Sequence, residues 1–239
     1  MGHDAWSCDL LPCEKPGNHT QGDVLPLLGE GWDMMIAHPP CTYLTVSAEW
    51  AYKDPDYDRY PGVGYHQKVK PGTLVGEARR QARRESIAFV KSLRDSGIPK
   101  IAIENPVGSL SSAWRKPNQV VQPWQFGHDA SKATCLWLIG LPPLKSTLEI
   151  APRIANGKKR WGNQTDGGQN KLTPTDDRWA LRSLTYQGIA DAMARQWGDY
   201  LGFFLPHSFS SSGYSASTSG GTLFPDFNAV STAASCADW

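Results

Sequence analysis

Asp33-Met34-Met35-Ile36-Ala37-His38-Pro39-Pro40-Cys41-Thr42 is the stretch on which the fold turns. Met34 to Ala37 are four apolar residues in a row, stopped by two prolines, which carry no N–H for a sheet ladder. The run therefore reads as a short strand buried on both faces that ends in a rigid loop. Similar runs flank it: Ala5-Trp6-Ser7-Cys8 before it, then Lys100-Ile101-Ala102-Ile103, Leu136-Trp137-Leu138-Ile139 and the shorter Gln119-Val120-Val121 after it. Between them the spacing predicts a helix from Gly76 to Asp95. Ala82, Phe89, Val90 and Leu93 share one of its faces, while Arg79, Arg80, Arg83 and Arg84 lie largely elsewhere; Gly97 and Pro99 end it. A second helix is expected from about Gly188 to Leu201, with Ile189, Met193 and Trp197 at i, i+4 and i+8. Strands alternating with helices imply an α/β fold with a parallel, helix-covered sheet.

Composition bounds the function. The 239 residues include 24 Lys+Arg and 23 Asp+Glu, so the chain is not held to nucleic acid by bulk charge alone. A hydrophobic fraction of 40% fits a globule with a core. No apolar run approaches the roughly 20 residues of a membrane helix, and the first residues do not read as an export signal, so a cytoplasmic protein with no membrane partner is expected. The five cysteines (Cys8, Cys13, Cys41, Cys135, Cys236) are odd in number and scattered, which argues against a disulfide framework. Residues 1–206 are expected to form one α/β domain. Residues 207–239 hold nine Ser and no Lys or Arg, and read as a flexible tail.

In a parallel helix-covered sheet, ligands sit at the carboxyl ends of the strands. Asp9 follows the first run, Gly22-Asp23 follows Thr20-Gln21, Pro40-Cys41 follows the second run, and Glu104-Asn105-Pro106 follows the third. Two acids, a cysteine in a Pro-Pro loop and a further acid would thus meet on one rim. The segment from Ala48 to Val75, rich in Tyr and Pro, reads either as a lid over that rim or as a surface loop anchored by its aromatics.

The order strand–Pro-Pro-Cys followed by strand–Glu-Asn-Pro resembles the C5-cytosine DNA methyltransferases, and residues from Gly2 through Gly198 are similar to short phage and prophage members. The resemblance implies a Rossmann-like, S-adenosylmethionine-dependent fold, here apparently without its first β-α unit. It implies Cys41 as nucleophile and Glu104 as the acid at cytosine N3. It further implies Asp9 at the cofactor's ribose and Asp23 near its adenine, with Pro40, Asn105 and Lys132 toward the base. The family's Gln-x-Arg-x-Arg motif is replaced by Ser131-Lys132-Ala133-Thr134-Cys135, which leaves Lys132 as the nearby cation. DNA with a flipped-out cytosine is the implied partner, contacted by a small region at about 141–182 that includes Lys158-Lys159-Arg160-Trp161.

The chemistry accounts for these residue types. Cytosine C5 is a poor nucleophile, and a thiolate adding to C6 makes it enamine-like, while an acid at N3 stabilises the charge that develops. Three other readings stand beside this one: a zinc site at His38 and Cys41, an inactive nucleic-acid-binding remnant of the fold, and an enzyme modifying C5 of a free cytosine nucleotide. No metal is expected, because the Glu and the paired cysteine of the zinc deaminases are missing.

Overall fold

The computed structural model describes residues 4–13, 16–172, 185–202 and 228–233, with 201–202 and 228–233 described by their backbone alone. The elements, in chain order, are β1 (Asp4–Asp9), β2 (Asn18–Gln21), β3 (Met34–His38), α1 (Gly76–Arg94), β4 (Lys100–Pro106), α2 (Leu110–Ala113), β5 (Gln119–Val121), β6 (Thr134–Ile139), β7 (Arg153–Ala155), β8 (Lys158–Arg160), α3 (Gln187–Gly202) and β9 (Asn228–Ala233). Seven strands form one mixed sheet in the order β2-β1-β9-β3-β4-β6-β5, and β7 and β8 form a separate hairpin.

The alternation of side chains along each strand builds two cores. Met35 and Ala37 of β3, Ile101 and Ile103 of β4, and Cys135 and Trp137 of β6 pack on one face with Val90 and Leu93 of α1. Met34, Ala102, Leu136 and Leu138 lie in the opposite core with Ile189, Ala192, Met193 and Trp197 of α3. Burial of each Val, Leu, Ile or Met side chain among them contributes roughly 1.5–3 kcal/mol. The two largest, Trp137 and Trp197, are wholly enclosed, and each indole N–H still reaches a backbone carbonyl, that of Arg115 at 2.7 Å and that of Pro142 at 2.9 Å. The central strands read as continuous apolar runs because helices cover both of their faces.

Three features differ from the sequence expectations. The sheet is not wholly parallel: β6 runs antiparallel to both β4 and β5. Residues 228–233 of the expected tail form β9, which lies parallel between β1 and β3. The rest of 207–239 falls outside the described residues. The arginine face of α1 does not lie in open solvent. Arg79 is buried, with its guanidinium over the rings of Tyr43 and Tyr52. Arg83 stacks 3.4 Å from the Tyr52 ring and donates to the Tyr43 carbonyl at 2.9 Å, and Arg80 donates to the Tyr52 carbonyl at 2.7 Å. These contacts fasten the start of the Tyr-rich segment to the helix. Tyr65 holds it further, donating its hydroxyl to the Lys53 carbonyl at 3.0 Å. The segment is therefore anchored to α1 by its aromatics.

Candidate functional site

The parallel register of β1, β2, β9, β3 and β4 brings their carboxyl ends to one edge. Because β6 is antiparallel, it is its amino end that reaches that edge: Thr134 pairs with Pro106 and with Val121. Lys132 precedes Thr134, so the reversal of β6 carries it to the rim on which Asp9, Cys41 and Glu104 stand. Asp23, two residues beyond β2, stands on the same rim.

The loops after β3 and β4 are laced together. Ala37 lies opposite Ile103, so His38 and Glu104 follow side by side, and His38 Nδ1 is 3.2 Å from Glu104 Oε2. Asn105, 1% exposed, donates from Nδ2 to the Pro39 carbonyl at 2.9 Å. After Cys41 the chain folds into a tight turn, with the Cys41 carbonyl accepting from Leu44 N and Thr45 N, both at 3.0 Å. Ser109 N then donates to the Leu44 carbonyl at 2.7 Å. At this crossing a Cβ on Gly108 would stand 1.8 Å from the Leu44 carbonyl oxygen, so only glycine allows the two backbones to approach so closely.

Cys41 itself is disulfide-bonded, whereas Cys8 and Cys135 are thiols. A disulfide sulfur has no thiolate charge with which to add to a pyrimidine, so the chemistry expected of Cys41 belongs to the reduced chain. Burial pushes the Cys135 thiol up, and the Glu104 charge pushes it in the same direction.

Asp9 and Asp23 are brought near one another around Cys8. That thiol is pushed up first by burial and then by the charges of Asp9 and Asp23. Each acid uses one carboxylate oxygen locally. Leu11 N donates to Asp9 Oδ1 at 2.9 Å, and Leu25 N to Asp23 Oδ1 at 3.0 Å. These are Asx-type turns, and they hold both side chains at the strand ends.

The β7–β8 hairpin went unforeseen, although its signal was in the sequence. Asn156 and Gly157 both have positive φ (52° and 69°) in a two-residue loop, the connection for which Asn-Gly is the strongest short-range cue. The hairpin holds Arg153, Lys158, Lys159 and Arg160. It is tied toward the rim by Asn163, which donates to the Ser131 carbonyl and accepts from Ser131 N, both at 2.9 Å. The Trp161 ring stacks on Trp124 at 5.4 Å. Of the expected DNA-contacting region 141–182, residues 173–182 lie outside the described residues.

An open cavity of about 430 Å³ lies beside β1 and β2, against Asp4, Trp6, Ser7, Thr20, Leu27 and Trp32. Among the described residues no group of three His, Cys, Asp or Glu is placed to hold a metal, and no helix is long and apolar enough to cross a membrane. No family model, no curated protein and no solved structure matches the chain.

Proposed function

We propose that the chain belongs to the Rossmann-like methyltransferases and transfers a methyl group to C5 of cytosine in DNA, with Cys41 attacking C6 and Glu104 acting at N3. The observation that carries the reading is the lacing of the two motif loops. Asn105 bonds the Pro39 carbonyl at 2.9 Å, and His38 bonds Glu104 at 3.2 Å, so a cysteine loop and an acid are fixed on adjoining strand ends. The sheet order supports it as well. With β9 counted as the first strand, the strands running in one direction follow the doubly wound order 3-2-1-4-5-6, with β6 inserted antiparallel before the last. In such a sheet the switch point lies between β9 and β3, beside the cysteine loop.

S-adenosylmethionine supplies the methyl group when bound. Asp9 and Asp23 suit its adenosyl part, because each keeps a carboxylate oxygen with no hydrogen bond among the described residues, and ribose hydroxyls donate to such an oxygen. Once reduced, Cys41 adds to C6 while Glu104 gives a proton or a strong hydrogen bond to N3. After transfer, loss of the C5 proton releases the thiolate. Lys132 borders the base, while Asn105, enclosed, supports the cysteine loop through the Pro39 carbonyl instead of touching the base, and Lys158 and Lys159 of the hairpin face the phosphates of DNA.

The test uses the whole chain after reduction, with S-adenosylmethionine and DNA carrying 5-fluorocytosine, whose C5 fluorine cannot leave as a proton. A covalent protein–DNA adduct is expected, and it disappears in Cys41→Ser. An adduct that survives this substitution removes Cys41 from the mechanism. No adduct with both ligands bound overturns methyl transfer in favour of nucleic-acid binding alone, and an adduct formed only with a free 5-fluorocytosine nucleotide changes the substrate.

A further inference from the structure

We propose that His38 is a positioning residue for Glu104, clamping one oxygen of its carboxyl so that the other faces the ligand. The inference rests on the methyltransfer reading only for its kinetic consequence; the clamp itself stands on the geometry of β3 and β4. The register sets His38 directly across from Glu104. His38 is held from both sides, because β3 pairs with β4 on one edge and with β9 on the other, His38 lying opposite Ala233. Pro39 and Pro40 follow at once and restrict the backbone that carries the imidazole.

The contact is direct and partly sheltered. Nδ1 and Oε2 are 3.2 Å apart, and the two side chains are 21% and 19% exposed. An ionised carboxylate only accepts, so Nδ1 must carry a proton when Glu104 is charged. Among the described residues Glu104 Oε1 takes no hydrogen bond, which leaves it for the base. The other titratable group set against Glu104 is the Cys135 thiol on β6, a weak donor that does not replace the imidazole. A carboxyl on a two-carbon stem would otherwise rotate freely at the rim, and misplacement of an acting group by about 1 Å costs on the order of a hundredfold in rate.

The experiment has two arms on the full, reduced chain. Side-chain ¹⁵N spectra of the neutral imidazole are expected to show His38 with its proton on Nδ1, shifting to Nε2 in Glu104→Leu. A proton on Nε2 in the unsubstituted protein, or a tautomer unchanged by Glu104→Leu, overturns the clamp whether or not the protein methylates DNA. In the adduct assay, His38→Phe is expected to slow adduct formation by about tenfold to a hundredfold, with unchanged dissociation constants for DNA and S-adenosylmethionine. His38→Asn, whose amide sets a donor where Nδ1 stands, is expected to restore the rate to within about threefold. Equal loss in both variants at an unchanged thermal midpoint overturns positioning. Absence of adduct in the unsubstituted protein sinks the methyltransfer reading alone, since the spectra still decide the clamp.

Discussion

The two halves of the sheet are built differently. In β3, β4 and β6 most residues are buried and none is exposed, and α1 and α3 cover opposite faces. In β1 and β2 only Cys8 is buried, Trp6 is 38% exposed, and Leu10 and Leu11 beyond the strand are exposed. The first half holds the cysteine loop and Glu104; the second holds Asp9 and Asp23. The difference teaches that the covered half holds most of the buried apolar area, while β1 and β2 join it through β9 and through Cys8, Val24, Leu27 and Leu28, which pack on the same core. A pair of short strands without a covered face is marginal by itself.

The largest effect that would break or sharpen this contrast is expected from removing β9. Ending the chain at residue 227 exposes the facing edges of β1 and β3. Amide exchange is expected to show β1 and β2 losing protection while β4 and β6 keep theirs. Equal protection of all strands in the shortened chain would mean that β9 does not join the halves.

Single side chains sharpen the contrast next. Trp197→Ala in the enclosed half is expected to cost about 4 kcal/mol in denaturant unfolding, from lost burial and an emptied cavity. Trp6→Ala in the open half is expected to cost less than about 1 kcal/mol, as befits a partly solvated ring. Similar costs for both would abolish the distinction.

Gly108→Ala tests the crossing of the motif loops. Its Cβ would meet the Leu44 carbonyl oxygen at 1.8 Å, backbone that cannot swing aside as a side chain would. A loss of about 2–3 kcal/mol is expected, together with slower 5-fluorocytosine adduct formation because the turn after Cys41 must shift. Unchanged stability would show that the loops do not approach so closely.

The smallest effect is electrostatic. Hydrogen bonds from Arg84 and then Arg80 hold the Glu77 carboxyl below its ordinary range. A carboxyl depressed by folding stabilises above its unfolded pKa, and that contribution is lost as pH falls through the folded one. Stability is therefore expected to decline slightly on acidification from neutral pH, and Glu77→Gln to flatten that decline. Salt should weaken the same interaction, because the groups are solvated.

The sequence by itself determined which segments are strands and helices of the enclosed half, since runs such as Met34–Ala37 and Leu136–Ile139 are apolar whatever surrounds them. It also placed Asp9, Asp23, Cys41 and Glu104 toward the carboxyl ends of strands, although β1 runs through Asp9 and β4 continues past Glu104 to Pro106. The Asn156-Gly157 turn is legible too, since Asn-Gly meets the positive φ that both positions of a two-residue hairpin loop require. Tertiary structure alone decided the reversal of β6, the seat of β9 between β1 and β3, the burial of Arg79 under two tyrosine rings, and the disulfide at Cys41. It decided the His38–Glu104 contact as well. A period of two tells which residues share a face of a strand, but strand order, direction and register are settled by hydrogen bonds between segments far apart in the chain. His38 and Glu104 stand 66 positions apart, and the chain between them carries no local mark of that pairing.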